Sequence, residues 1–209
     1  MKGSRIPQTV PHARSQGTIS ILDIDLDFFN LVQNPVQELV TLLTWAGRPV
    51  DFIVHKHHEV LPLWASSIGM DCPTHILHVD EHHDMMDENK IVNIANFLYH
   101  AMRSWPKCRV HWLVVDPIDS PRMWLSETGW LSVSRRFSVG REIPHGWPKP
   151  YLVSVCTSPE FVEEDLRRRL IQVATDMEKH RKPLSSLRFP SLSARQGSGS
   201  GPTSPWGSP

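Results

Sequence analysis

Apolar residues in the middle of the chain recur in short unbroken runs, separated by longer stretches with three-and-four spacing. That is the pattern of buried strands alternating with amphipathic helices. Residues 19–28 read as a strand, after which Asn34-Pro35 places a capping residue and a first-turn proline ahead of a helix ending near Gly47. Residues 52–54 form a short apolar strand, and 59–70 a helix whose Pro62 falls in the first turn. Strand 74–79, helix 91–105 and strand 110–115 repeat the unit, and 131–139 and 151–156 add two further strands. A last helix, 160–179, presents Glu163, Glu164, Arg167, Arg168 and Arg169 as a solvated face. Strand–helix alternation without an internal repeat predicts an α/β fold with a mostly parallel sheet in a three-layer α/β/α sandwich.

Composition narrows this picture. The 209 residues carry 22 Lys plus Arg against 22 Asp plus Glu, so there is no global field to draw the chain to nucleic acid or to an anionic membrane. No apolar run approaches the roughly 20 residues needed to span a bilayer, and the first residues lack an apolar leader, so a cytoplasmic protein is expected. Residues 1–18 are polar and interrupted by proline, and 183–209 are rich in Ser, Gly and Pro. Both are expected to be disordered, which leaves 19–182 as one domain. Cys72, Cys108 and Cys156 are odd in number and widely spaced, which fits buried thiols rather than a disulfide framework or a zinc ribbon.

Three polar constellations interrupt the apolar pattern. In Leu22-Asp23-Ile24-Asp25-Leu26-Asp27-Phe28-Phe29, strand alternation puts three carboxylates on one face and apolar residues on the other. A parallel sheet is covered on both faces, so these anions would be desolvated at a cost of several kcal/mol each unless a cation compensates. An edge strand with one wet face is the competing reading, against which the flanking residues are strongly apolar. The second constellation, His78-Val79-Asp80-Glu81-His82-His83-Asp84, follows a buried strand, with Asp80, His82 and Asp84 in register where α/β sheets place their ligands. Mixed carboxylate and imidazole donors suit manganese, iron or zinc. Without the strand before it, the same run would be a solvated loop. The third, His55-Lys56-His57-His58-Glu59, offers one histidine to complete a metal shell, or is an exposed polar loop.

These residues resemble the peptide arginases and their uncharacterised relatives, within the broader arginase, agmatinase and deacetylase-like metallohydrolase fold. The resemblance spans residues 19–161 and rests on the Asp23 and Asp80 motifs, on His57-His58-Glu59-Val60-Leu61-Pro62, and on Ser158-Pro159-Glu160. It implies an arginase-like sandwich with the motif order rearranged, because the aspartate pair Asp23 and Asp25 precedes the Asp80-x-His82-x-Asp84 motif. It further implies two manganese ions bridged by Asp80, Asp23 and a water, with His57 and Asp84 completing one shell and His82 and Asp25 the other. Catalysis would fall to Asp80, with His83, Glu160 and His145 as candidates for the proton shuttle and the guanidinium partner. The implied substrate is an arginine-containing peptide or a small guanidino compound. A single-metal amidohydrolase or deacetylase on the same scaffold is a second reading. A third is a non-enzymatic protein that binds partners through its eight tryptophans and tail.

Overall fold

The computed structural model describes residues 19–68, 74–117 and 119–176; the expected tails, Cys72 and residues 177–182 lie outside them. Six strands form one sheet, all of them paired in parallel. In chain order the elements are β1 (Ile19–Asp25), α1 (Pro35–Ala46), β2 (Phe52–Val54), α2 (Val60–Ile68), β3 (Thr74–Val79), α3 (Phe97–Ser104), β4 (Arg109–Leu113), α4 (Glu127–Val133), β5 (Phe137–Gly140), β6 (Leu152–Cys156) and α5 (Glu164–Asp176). The strand order is β2-β6-β1-β3-β4-β5. No helix among the described residues is long and apolar enough to cross a membrane.

Alternation along the strands sorts the core into two layers. Ile21, Ile76 and Val110 meet Trp64 of α2 and Phe97, Met102 and Trp105 around α3. Leu22, Ile24, Leu77, Leu113 and Val153 meet Leu39 and Leu43 of α1 and Leu170 and Ala174 of α5. Both faces are therefore covered, as a parallel sheet requires. From the central β1 the chain moves to β2 on one side and then to β3 on the other, so β1 and β3 flank a switch point whose crevice opens at their carboxyl ends.

Several boundaries differ from those the pattern predicts, and in most cases a side chain bonding to nearby backbone is the reason. The first strand stops at Asp25 rather than running to residue 28. The Asp25 carboxylate accepts the Asp27 backbone N–H at 3.0 Å and turns the chain into a 3-10 segment, Leu26–Asn30. The helix expected over 91–105 begins only at Phe97, because Asn93 and Asn96 side chains occupy the preceding backbone groups, at 2.8 Å to Ala95 N–H and 2.8 Å to Asn93 N–H. Residues 131–139 are not one strand: Ser126 caps α4 by accepting from Gly129 N–H at 3.0 Å, and only Phe137–Gly140 is extended. A glycine inside that helix hid it in the sequence. A Cβ at Gly129 would lie 2.3 Å from the Glu88 carboxylate, which itself accepts the Ser126 N–H at 2.6 Å. Smaller trims apply to α2, which starts at Val60, to α5, which starts at Glu164, and to β4, which spans Arg109–Leu113. Gly47 ends α1 at φ 71°, as a left-handed C-cap.

Arg136 joins α3 to α4. Its Nη1 donates to the carbonyls of Met102 (3.1 Å), Trp105 (3.3 Å) and Cys108 (2.9 Å), and its Nη2 to Ser132 (2.9 Å). Removing it takes the shared donor from the Met102 and Cys108 carbonyls and unties α3 from α4, so Arg136→Ala is expected to cost about 2–4 kcal/mol in urea unfolding. Arg136→Lys should recover only part of this, because one ammonium cannot span the fork.

His111 in β4 provides a pH test. Its Nε2 donates to the Glu142 carbonyl at 3.1 Å and its Nδ1 lies 2.9 Å from the Ser138 hydroxyl. Burial holds the imidazole below its ordinary 6.5 despite the opposing pull of that carbonyl. The unfolded chain thus binds this proton more readily, so the His111 contribution is complete above 6.5 and is lost as pH falls through the depressed folded value. In His111→Gln the urea midpoint should fall less than in the parent chain between about pH 7 and about pH 5.

Candidate metal centre

The polar residues gather where β1, β2 and β3 end. Asp23 and Asp25 leave the end of β1, His57 sits in the 3-10 turn after β2, and Asp80 and Asp84 follow β3. All five are buried, Asp23 completely and none more than 5 % exposed. Asp27, which the 3-10 turn rather than strand alternation carries inward, is 2 % exposed.

His57 is the hub. Its Nε2 is 2.9 Å from Asp23 Oδ2, and its Nδ1 faces three carboxylate oxygens: Asp80 Oδ2 at 3.0 Å, Asp84 Oδ2 at 3.0 Å and Asp25 Oδ2 at 3.2 Å. Three of the carboxylates are held from behind. Asp23 accepts from Ser154 Oγ at 2.8 Å, and Trp64 Nε1 donates to that hydroxyl at 3.1 Å. Asp25 accepts from Ser158 Oγ at 2.5 Å, and Asp80 from His82 N–H at 2.7 Å. The ring of Phe97, 4.6 Å from that of His57, packs the imidazole in place. Asp84 (φ 49°) and Ser158 (φ 38°) are the non-glycine residues with left-handed backbone among the described residues, and both belong to this cluster. Such strain persists where the surroundings enforce it, commonly at working sites.

Electrostatics show what the cluster lacks. Burial works to raise the Asp23 pKa, but the charge and hydrogen bond of His57, with those of His78, outweigh it and hold the carboxyl well below the usual range. Asp25 is likewise lowered against burial, chiefly by His57. His57 is raised well above its ordinary value, the carboxylates overcoming desolvation. Asp27 moves the other way, pushed up to about 7 by burial first and then by the charges of Asp80 and Asp25. Five buried aspartates face three imidazoles, His57, His78 and His82, so with all of them ionised the carboxylates outnumber the cations by two, and a proton on the raised Asp27 relieves part of that excess. At the centre, His57 Nδ1 and Asp84 Oδ2 are buried 3.0 Å apart without forming a well-directed hydrogen bond. Unmatched charge and orphaned donors and acceptors in one spot fit a divalent cation, and an oxygen-rich donor set with one imidazole suits manganese, iron or zinc.

The structure sorts the expected residues. Asp23, Asp25, His57, Asp80 and Asp84 come together. His82 stands outside them: its side chain is 48 % exposed, and its Nδ1 lies 3.1 Å from Asp27 and 3.6 Å from Asp80 rather than beside Asp25. Those hydrogen bonds raise it to about 11. Two ligand groups share Asp80: His57, Asp80 and Asp84 inside, and Asp27, Asp80 and His82 at the rim. His83 is turned to Asp119, 3.3 Å from its Nε2, and to Trp112, and burial lowers it to about 4, so it is neutral near neutral pH. Glu160 is exposed in the turn after β6, and His145 is exposed in the loop after β5.

Three contributors escaped the motif reading. His78 lies inside the second motif, yet its Nδ1 meets Asp23 at 3.0 Å and its Nε2 the His82 carbonyl at 3.2 Å. Both partners are acceptors, so both nitrogens carry protons and His78 positions Asp23 as a buried imidazolium. Asp27 is the third carboxylate of the first motif, outside the ligand set that the resemblance implies, yet it falls in one ligand group with Asp80 and His82. Cys156, whose Sγ falls in one ligand group with Asp25 and His57, has no sequence signal beyond an apolar strand. Comparisons with protein-family models, with curated proteins and with solved structures found no match to this chain.

If like-charge repulsion is the cost of the site, Asp84→Asn should stabilise the metal-free chain by about 1 kcal/mol, since asparagine tolerates the same left-handed backbone. The same variant should lose the rise in melting temperature that manganese produces in the parent. Thermal unfolding with chelator and with added manganese measures both effects.

Proposed function

We propose that this chain is a metal-dependent hydrolase of carbon–nitrogen bonds, binding two manganese ions and converting peptidyl arginine, or a small guanidino compound, to the ornithine-type amine plus urea. The observation that carries the reading is the buried carboxylate ring around His57, with its uncompensated charge and orphaned atoms at the carboxyl edge of a parallel sheet. The order and spacing of the Asp23, His57 and Asp80 motifs, which resemble the peptide arginases, supply the substrate class. His57, Asp80 and Asp84 would hold the inner ion, with Asp25 beside them and Asp23 fixing His57 through its other ring nitrogen, and Asp80, Asp27 and His82 the outer one. Divalent ions so held would supply Lewis-acid charge and lower the pKa of water. The protein's own part is to fix the carboxylates through Ser154, Ser158 and His78, and to exclude solvent behind Phe97 and Trp64.

The single-metal amidohydrolase remains the second reading, favoured by one observation: the tight ligand group is the inner one, while His82 and Asp27 form a looser, partly exposed pair.

Elemental mass spectrometry after manganese reconstitution and dialysis separates these readings. Two ions per chain favour the binuclear enzyme and one ion the amidohydrolase. In Asp80→Ala, which removes the carboxylate shared by both groups, metal content and urea release from arginine-containing peptides should fall below a hundredth of the parent values, a loss of roughly 3 kcal/mol or more. Asp165→Ala, in an 81 % exposed carboxylate of α5, should change neither. A metal-free parent protein under these conditions would remove the hydrolase reading.

A further inference from the structure

The loop after β5 folds back across the sheet face that carries α1. Trp147 packs edge-on against His75 of β3, ring centroids 5.0 Å apart at 89°, and lies 5.8 Å from the ring of His111. Between this loop and α1 is a cavity of about 280 Å³. Its aromatic walls are Phe28, Trp45 and Trp147, and its floor includes Leu113. Phe28 and Leu113 belong to the core layer under α1 and α5, whereas Trp64 and Phe97, which flank His57, belong to the other layer. The cavity and the carboxylate cluster thus occupy opposite faces of the sheet.

The charges around the cavity do not balance. Arg141 lines it but is matched by Asp116, 3.0 Å away. Glu38, in the first turn of α1, lines it with no ion pair or side-chain hydrogen bond among the described residues, and burial raises its pKa. Glu142 lends its backbone carbonyl to His111, while its carboxylate has no cationic partner among the described residues. Trp45 already attracts one cation: Lys149 Nζ, which is not among the groups lining the cavity, sits 4.6 Å from its ring centroid. Electron-rich ring faces and an uncompensated carboxylate around a small concave space are the elements that recognise an organic cation.

We propose that this cavity is a binding site for a small organic cation with a guanidinium or alkylammonium head, held against Trp45 and Trp147 and paired with Glu38. The volume lies near the lower end of small-molecule pockets, which suits a single head group with a short chain rather than a nucleotide or an extended peptide. The site is independent of the metal reading, because it shares no residue with the carboxylate cluster.

The test uses the full chain, ¹⁵N-labelled, with its eight tryptophans observed through their indole N–H resonances and Trp45 and Trp147 assigned by Trp45→Phe and Trp147→Phe. Ethylguanidinium, titrated up to roughly 20 mM at constant ionic strength, is expected to shift those two resonances saturably, and neutral ethylurea is expected to leave them in place. Glu38→Gln should weaken the binding roughly tenfold while the other indole resonances keep their positions, which shows that the fold is intact. The proposal is overturned if no saturable shift occurs, if ethylurea shifts the same resonances equally, or if Glu38→Gln binds as tightly as the parent.

Discussion

Concentrating anionic charge in a dry place is the constraint around which this fold is arranged. Asp23, Asp25, Asp27, Asp80 and Asp84 all lie out of water, and each would be expensive there alone. The protein offsets the cost by centring the carboxylates on His57 and by supplying a dedicated donor to several of them. The topology serves the same end. With β1 flanked by β6 and β3, carboxylates from two strand ends and an imidazole from the turn after β2 converge without any long insertion. Left-handed backbone at Asp84 and Ser158 accompanies an inward Asp84 carboxylate and the Ser158 hydroxyl that donates to Asp25.

Support for the site comes from one core layer. Trp64 reaches it through Ser154, and Phe97 through ring contact with His57 and His78, so the packing of α2 and α3 against the sheet also sets where the imidazoles point. The opposite layer, between the sheet and α1 with α5, is more uniformly apolar, and a cavity lies at its margin under the loop carrying Trp147. The two faces of the sheet are thereby specialised differently. One is a rigid polar scaffold bounded by aromatic rings, and the other an apolar layer with a concave margin.

Much of this was legible in the chain. Continuous apolar runs bounded by polar turns located β2 and β3 to the residue and β6 within one residue, because a strand covered on both faces tolerates little else. The Asp-x-Asp and Asp-x-His-x-Asp spacings pointed to Asp23, Asp25, Asp80 and Asp84 for a related reason: carboxylates beside such runs have no benign explanation in a parallel sheet. What the pattern missed was mostly local competition for backbone hydrogen bonds. Asn93 and Asn96 delay α3, Asp25 stops β1, and Gly129, a residue of low helix propensity, conceals α4.

By itself, then, the sequence determined the α/β class, the order of the strands along the chain and the residue types of the candidate site, since periodicity and residue type are local properties. Only the tertiary structure decided which donors share a centre. It placed His57 at the hub and His82 at the rim, gave His78 a supporting role between two acceptors, brought Asp27 and Cys156 into the ligand groups, and turned His83 toward Asp119. It also decided that Trp45, Trp147 and Glu38, far apart in the chain, enclose one cavity. The physical reason is the same in each case: which neighbours a side chain meets depends on strand order and on the turn after each strand, and neither is written in the spacing of a single motif.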